Sequence, residues 1–206
     1  MRALLVSQPR LVGLHVRNVF DAPRDDATNV STRGAEAVDA ARREYGADGT
    51  QQLLNWRRVS HWENFVPQIK SMIERDDRVI ARRIARKSAP ADDRALPGTT
   101  PLKFYLAADT DEAYAGLTAR FPGRILYTPR PCAAARCDFR DCAGLFYALV
   151  DMYNLAQART ILGSGWSSYS EVAAYLGGSG GRPIAKLMAG RDFGKKPDGA
   201  AVQTNR

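Results

Sequence analysis

The sequence holds few of the residues from which metal and redox sites are built. Its 206 residues include two histidines, His15 and His61, and three cysteines, Cys132, Cys137 and Cys142. The cysteines sit five residues apart in one segment with no Cys-x-x-Cys pair, and the histidines are remote from them, so no zinc site is expected. Two readings of the thiols stay open: buried free cysteines, or a local disulfide with one thiol left over, which would suit a secretory compartment. No stretch approaches the roughly 20 apolar residues that a membrane-spanning helix needs. The apolar run within Met1–Arg10 is too short for a signal peptide, so the chain reads as soluble and untargeted. Aromatic residues do not interleave with the basic clusters, which argues against a base-stacking platform; no nucleic-acid partner is expected.

With 45% hydrophobic residues, the chain can bury a full core. The expectation is one domain over residues 1–188 and a polar, disordered tail over 189–206. Thirty Lys and Arg against 22 Asp and Glu leave a charge of +8, which favours an anionic partner without naming it.

Apolar runs of strand type recur at Leu11–Val16, Leu102–Ala107, Arg124–Tyr127 and Thr160–Leu162, with a last candidate at Pro183–Leu187. Helical patterns lie between them. One is expected over Ala35–Tyr45, ended by Gly46. A second carries Trp62, Phe65, Val66, Ile69 and Ile73 as a core-facing stripe, with Ser60 and Glu63 as its cap and Pro67 either kinking it or delaying its start. Thr110 should cap a helix to Arg120, and a long apolar helix is expected over Phe139–Ala158. Asn18–Arg33 reads as a long polar loop and Arg82–Thr100 as a basic surface excursion, while Gly177–Gly181 reads as a linker. Strands alternating with helices predict an α/β fold, a Rossmann-like parallel sheet with helices on both faces.

In such sheets ligands bind beyond the carboxyl ends of the strands, near a switch point. Three polar clusters fall at such ends: His15-Val-Arg17, Asp109-Thr-Asp111, and Gly163 to Ser170. The last is the most informative. Thr160–Leu162 is a strand, Gly163 and Gly165 permit a tight turn, and Ser168 and Glu171 have capping-box spacing. A helix N-terminus after such a turn presents unpaired N–H groups and a positive dipole end, which suit a phosphate. Arg17 adds a planar fork of donors matched to phosphate oxygens. Asp109 could accept hydrogen bonds from a ribose or a base edge. Each has a structural alternative: Arg17 a strand-end ion pair with Asp21 or Asp25, His15 a satisfied core residue, Asp109 a loop carboxylate.

With these elements in this order, the chain resembles the C-terminal, donor-binding half of the fucosyltransferase superfamily, whose members have the GT-B fold and use GDP-fucose. Gly13-Leu-His15-Val-Arg17 is similar to that superfamily's strand ending in His-x-Arg. Phe104-Tyr-Leu-Ala-Ala-Asp109-Thr-Asp-Glu112 is similar to its Leu-Ala-Thr-Asp segment. Ala148-Leu-Val-Asp151-Met-Tyr-Asn-Leu155, followed by Gly163-Ser-Gly-Trp-Ser-Ser-Tyr-Ser170, resembles the helix, strand and Ser-Ser turn near the end of the catalytic domain. Residues from about 11 to 188 are covered. The resemblance implies an inverting fucosyltransferase acting on a glycan or protein acceptor. Arg17 would bind the β-phosphate as the catalytic arginine, and His15 and Asp109 would contact the guanosine part. Ser167, Ser168 and Tyr169 would supply hydroxyls and N–H groups to the phosphates. No bound metal or other cofactor is implied, and Asp109-Thr-Asp111 fits the nucleoside-binding segment better than a metal site.

Two departures stand out. Several branches carry a second arginine after His-x-Arg, and that position is Asn18 here; Val16-Arg-Asn-Val-Phe-Asp21 resembles the plant cell-wall branch. The N-terminal, acceptor-binding half of a GT-B enzyme is not represented in these residues, and the acceptor-side base is open among Asp21, Asp25, Asp26 and Glu36. The alternative is a degenerate or truncated transferase acting as a non-catalytic basic module that binds nucleotide or polyanion. Relatives work in the Golgi or endoplasmic reticulum lumen, and Asn29-Val-Ser31 is a glycosylation sequon compatible with such a site.

Overall fold

The computed structural model describes residues 10–17, 32–86, 100–130, 142–179, 181 and 183–197. Five strands, β1 (Leu11–Val16), β2 (Lys103–Ala108), β3 (Ile125–Leu126), β4 (Thr160–Gly163) and β5 (Ala185–Met188), form one sheet in the order β3-β2-β1-β4-β5. Every pairing is parallel. The helices are α1 (Thr32–Val59), α2 (Val66–Arg86), α3 (Asp111–Arg120), α4 (Cys142–Leu155) and α5 (Ser168–Gly178). This is an α/β, Rossmann-like architecture. The chain steps outward from β1 to β2 and β3, then crosses to β4 and β5 on the other side. The switch point lies between β1 and β4, where His15 stands opposite Gly163.

All six residues of β1 are buried, because helices cover both faces of the strand. Its alternation divides them. Val12, Leu14 and Val16 join Phe104, Leu106 and Leu162 against Phe65, Ile69 and Leu117. Leu11 joins Tyr105, Ala107 and Ile161 in a second cluster under Leu155 of α4 and Ala173 of α5. The two cores are thus separated by the sheet itself.

Several local expectations are corrected. Gly46 does end the first helical segment, with the positive φ (71°) expected of a terminator; what was not expected is a second segment that follows the kink and carries α1 on to Val59. Ser60 and Glu63 do not cap the next helix. His61 Nδ1 accepts from the Glu63 N–H at 3.4 Å, capping a 3-10 turn over Trp62–Phe65. The α-helix proper starts at Val66, with Pro67 in its first turn, where a missing N–H costs nothing. Arg82 to Arg86 form the end of α2 rather than a loop. Gly177 and Gly178 complete α5 rather than beginning a linker.

The tail expected to be disordered from Ala189 begins with ordered backbone. Ala189 bridges Phe193, whose ring packs edge-on against Phe65 at 5.0 Å. The aromatic anchor overrides the polar composition around it. The readings that fall on Asn18–Ser31, on Cys132 and Cys137, on the start of the helix expected from Phe139, and on residues 198–206 lie outside the described residues; Cys142 opens α4.

Candidate functional site

The carboxyl ends of β1 and β4 are stitched together by one serine. The Ser164 hydroxyl donates to the His15 carbonyl at 2.9 Å and accepts from the Arg17 N–H at 2.8 Å. The chain then turns sharply. The Gly165 N–H donates to the Ser60 hydroxyl at 3.1 Å, and Trp166 adopts φ 50°, a left-handed conformation rare outside glycine. Ser60, expected to cap a helix, therefore serves as a receptor for a turn 105 residues away.

Into this turn comes a side chain that the sequence reading missed. Arg57, near the end of α1, donates from Nη1 to the Gly165 carbonyl at 3.3 Å and from Nη2 to the Trp166 carbonyl at 3.2 Å. It is 4% exposed. Burial, then the neighbouring Arg17, lowers its pKa to about 10, and Asp109 opposes the shift. The guanidinium remains a cation at neutral pH. Two arginines forty residues apart in sequence thus lie within electrostatic reach of each other and of Asp109, just beyond β2. A signal for Arg57 did exist. Thr50, Leu53, Arg57 and Ser60 are all buried and recur at helical spacing, so an arginine stands where the core stripe calls for an apolar residue.

The helix that faces these cations is uncapped. Ser167, extended at φ −143° and ψ 116°, is the N-cap of α5, but its side chain makes no capping bond. The expected Ser168–Glu171 capping box does not form. Ser168 is already helical and exposed, and Glu171 pairs instead with Lys186 at 2.6 Å. Among the described residues, no side chain is seen to cap the first turn of α5.

His15 completes the floor. Its ring lies 4.8 Å from the Tyr169 ring, and it is 6% exposed. Burial, then Arg17, then Arg57, lowers its pKa to about 3, so it is a neutral imidazole. Tyr169 contributes that ring face rather than a phosphate-binding hydroxyl. Its OH donates to the Ala148 carbonyl on α4 in a short hydrogen bond. Among the described residues, His15 Nδ1, Arg17 Nε, Arg57 Nε and Ser167 Oγ are buried with no hydrogen-bond partner. Buried polar atoms are almost always satisfied, so the grouping of these four near the β1–β4 switch point is unusual.

The structure thus brings together His15, Arg17, Asp109, Ser167 and Ser168 around the switch point, adds Arg57, and turns the Tyr169 hydroxyl away. Of the acceptor-side base candidates, Asp21, Asp25 and Asp26 lie outside the described residues, and Glu36 falls in α1. Among the described residues no group of three or more His, Cys, Asp or Glu is arranged to hold a metal ion, and no helix is long and apolar enough to cross a membrane. No protein-family model matches the chain, and no curated protein matches it. The chemistry of the site therefore rests on its own geometry.

A second polar cluster lies under α4. The Tyr105 hydroxyl donates to Asp151 Oδ1 at 2.7 Å and meets Thr128 Oγ1 at 2.6 Å, and Asn154 donates to it at 2.9 Å. Arg130 holds the other carboxylate oxygen, Oδ2, at 2.7 Å. Burial pushes the Asp151 carboxyl up, against the hydrogen bonds and charge from Tyr105 and Arg130. The cluster fixes α4 and the segment after β3 to the sheet.

Two outcomes follow from this geometry. A Cβ added at Gly165 would stand 2.0 Å from the Trp56 ring, so Gly165→Ala must displace either the indole or the turn. The expected loss is about 2–3 kcal/mol in chemical unfolding, with anion binding weakened in the refolded variant. The second outcome concerns pH. Folded His15 stays neutral down to about pH 3, whereas its unfolded counterpart protonates near 6.5. Between those values the unfolded chain binds more protons. The His15 contribution is therefore fully present above about pH 6.5 and lost as pH falls toward 3, by up to about 5 kcal/mol. Urea titrations at pH 7 and pH 4 should show this slope, and His15→Phe should flatten it.

Proposed function

We propose that this chain is the donor-binding domain of a fucosyltransferase, holding GDP-fucose with its diphosphate over the β1–β4 switch point. The observation that carries the reading is that Arg17, Arg57 and Asp109 lie within electrostatic reach of one another, beside the Gly165–Trp166 turn that leads into α5, whose N-cap Ser167 makes no side-chain capping bond. Two cations against one carboxylate, with unmet donors aimed at the same place, suit a doubly charged guest. The choice of GDP-fucose rests on the resemblance of the three motifs to the fucosyltransferase superfamily. In that reading Arg57 supplies, from α1, the second guanidinium that several branches place directly after His-x-Arg and that is Asn18 here.

The acceptor hydroxyl oxygen attacks the anomeric carbon of fucose from the face opposite the diphosphate. The bond from that carbon to the β-phosphate oxygen breaks, its electron pair leaves with GDP, and configuration inverts. The acceptor proton passes to a base on the acceptor side. Negative charge grows on the departing diphosphate, so donors already fixed around it lower the barrier without reorganising. Arg17 and Arg57 carry that charge, and the first N–H groups of α5 share it. Neutral His15 offers Nδ1 as a donor or acceptor toward the guanosine part, and Asp109 accepts from ribose or base. The acceptor, a glycan or a glycoprotein, approaches from the open side of the crevice, where an acceptor-binding domain of a GT-B enzyme would stand. A lumenal site of action in the Golgi or endoplasmic reticulum belongs to the same reading.

Titration calorimetry with GDP-fucose, GDP, AMP and inorganic phosphate tests this. GDP and GDP-fucose should bind at least about 100-fold more tightly than phosphate, since the base and both phosphoryl groups are engaged, a difference worth about 3 kcal/mol. If GDP binds no better than AMP or phosphate, the donor assignment is wrong.

A further inference from the structure

The outer surface of α4 and α5 is as apolar as a core. Leu145, Leu149 and Tyr153 recur at i, i+4 and i+8 on the solvent side of α4, and Val172, Tyr175 and Leu176 do the same at i, i+3 and i+4 on α5. None of the six is less than 37% exposed, and Tyr175 is 79% exposed. The opposite sides of these helices already serve the sheet: Leu155 and Ala173 are buried against it, and Asp151 and Asn154 fill the polar cluster. Among the described residues, nothing covers the exposed stripe.

We propose that this face is the isologous interface of a homodimer, with α4 and α5 of one chain laid against the same pair of the other. Two observations favour a second copy over other occupants. The first is area. Six side chains at these exposures present on the order of 500–600 Å² of apolar surface, near the ~800 Å² per partner of a stable interface and at the limit of what a monomer leaves open.

The second observation is charge. The chain carries +8, so two copies repel except across a surface without charge. This face is such a surface. Asp151 is the one charged residue of α4 and is buried, and Glu171, the one charged residue of α5, is paired with Lys186. A lipid surface fits less well, because membrane-lying helices flank their apolar stripe with Lys and Arg, and neither helix has any. The interface is independent of the crevice at the carboxyl edge, and the proposal stands or falls apart from the donor assignment.

Sedimentation velocity on the full chain between about 1 and 100 µM decides it, in company with the double variant Leu149→Glu/Tyr175→Glu. The wild type should sediment at twice the chain mass. The double variant should sediment as a monomer, with its melting temperature and circular dichroism retained at equal concentration and its dimer dissociation constant raised at least 100-fold. A wild type that stays monomeric at 100 µM overturns the proposal, as does a folded double variant that still dimerises. Should the double variant not fold, hydrogen exchange of the wild type at the two concentrations replaces it. Protection over residues 145–153 and 172–176 must rise with concentration, and protection that does not change rejects the interface.

Discussion

Asp151→Ala lowers the unfolding free energy by about 3–5 kcal/mol, a large part of the stability of a domain this size. The magnitude follows from what remains. Arg130 loses the carboxylate oxygen it holds at 2.7 Å, and the Tyr105 hydroxyl loses its acceptor in a site closed to water. Removing one member of a buried, hydrogen-bonded ion pair strands the other, which costs far more than the pair contributes on balance. The comparison variants separate these parts. Tyr105→Phe keeps the ion pair and should cost about 1–3 kcal/mol, from the acceptors and donors it leaves unmet. Asp151→Ala combined with Arg130→Met should cost less than the sum of the two single changes, because the loss of their shared ion pair is then counted once. Guanidinium titrations of the four proteins measure all of this, and strict additivity would show that Arg130 and Asp151 act independently.

Arg57→Met weakens GDP binding about 30- to 100-fold, and Arg57→Lys recovers only part of the loss. A hydrogen bond to a charged group is worth about 1.5–3 kcal/mol, and the guanidinium here contributes both its charge and the shape of the Gly165–Trp166 turn. Lysine restores the charge as a point on a flexible stem, without the fork that spans the two carbonyls. Calorimetry should therefore rank the affinities wild type, Lys, Met. Equal affinities for all three would remove Arg57 from the site.

The distinction between local and distant bonding explains which features the sequence revealed. Leu11–Val16 and the run Leu102–Ala107, observed as Lys103–Ala108, are legible as strands because both faces are buried and their residues are mostly apolar, with His15 and Lys103 the exceptions. Thr110 was legible as a cap because its side chain accepts from the Ala113 N–H three residues on. The parallel sheet followed from the alternation of elements, and with it the crevice that collects His15, Arg17, Asp109 and the serine turn. Ser60 was misread because Ser-x-x-Glu spacing describes a local cap, whereas its actual partner is the Gly165 N–H. Arg57 is easily passed over because arginine near a helix end ordinarily lies in water, and its place in one stripe with Thr50, Leu53 and Ser60 is the signal that opposes that expectation. The α5 cap was misplaced by one residue, and that residue decides whether the helix N-terminus is closed by a side chain or open to a guest.

A crystal structure of the chain with GDP tests most directly whether these separated residues act as one cradle. The account predicts diphosphate oxygens about 2.7–3.1 Å from the Arg17 guanidinium and the first N–H groups of α5, with Arg57 alongside. GDP bound elsewhere on the chain, with Arg17 turned from the α5 N-terminus and its phosphates in solvent, would contradict it.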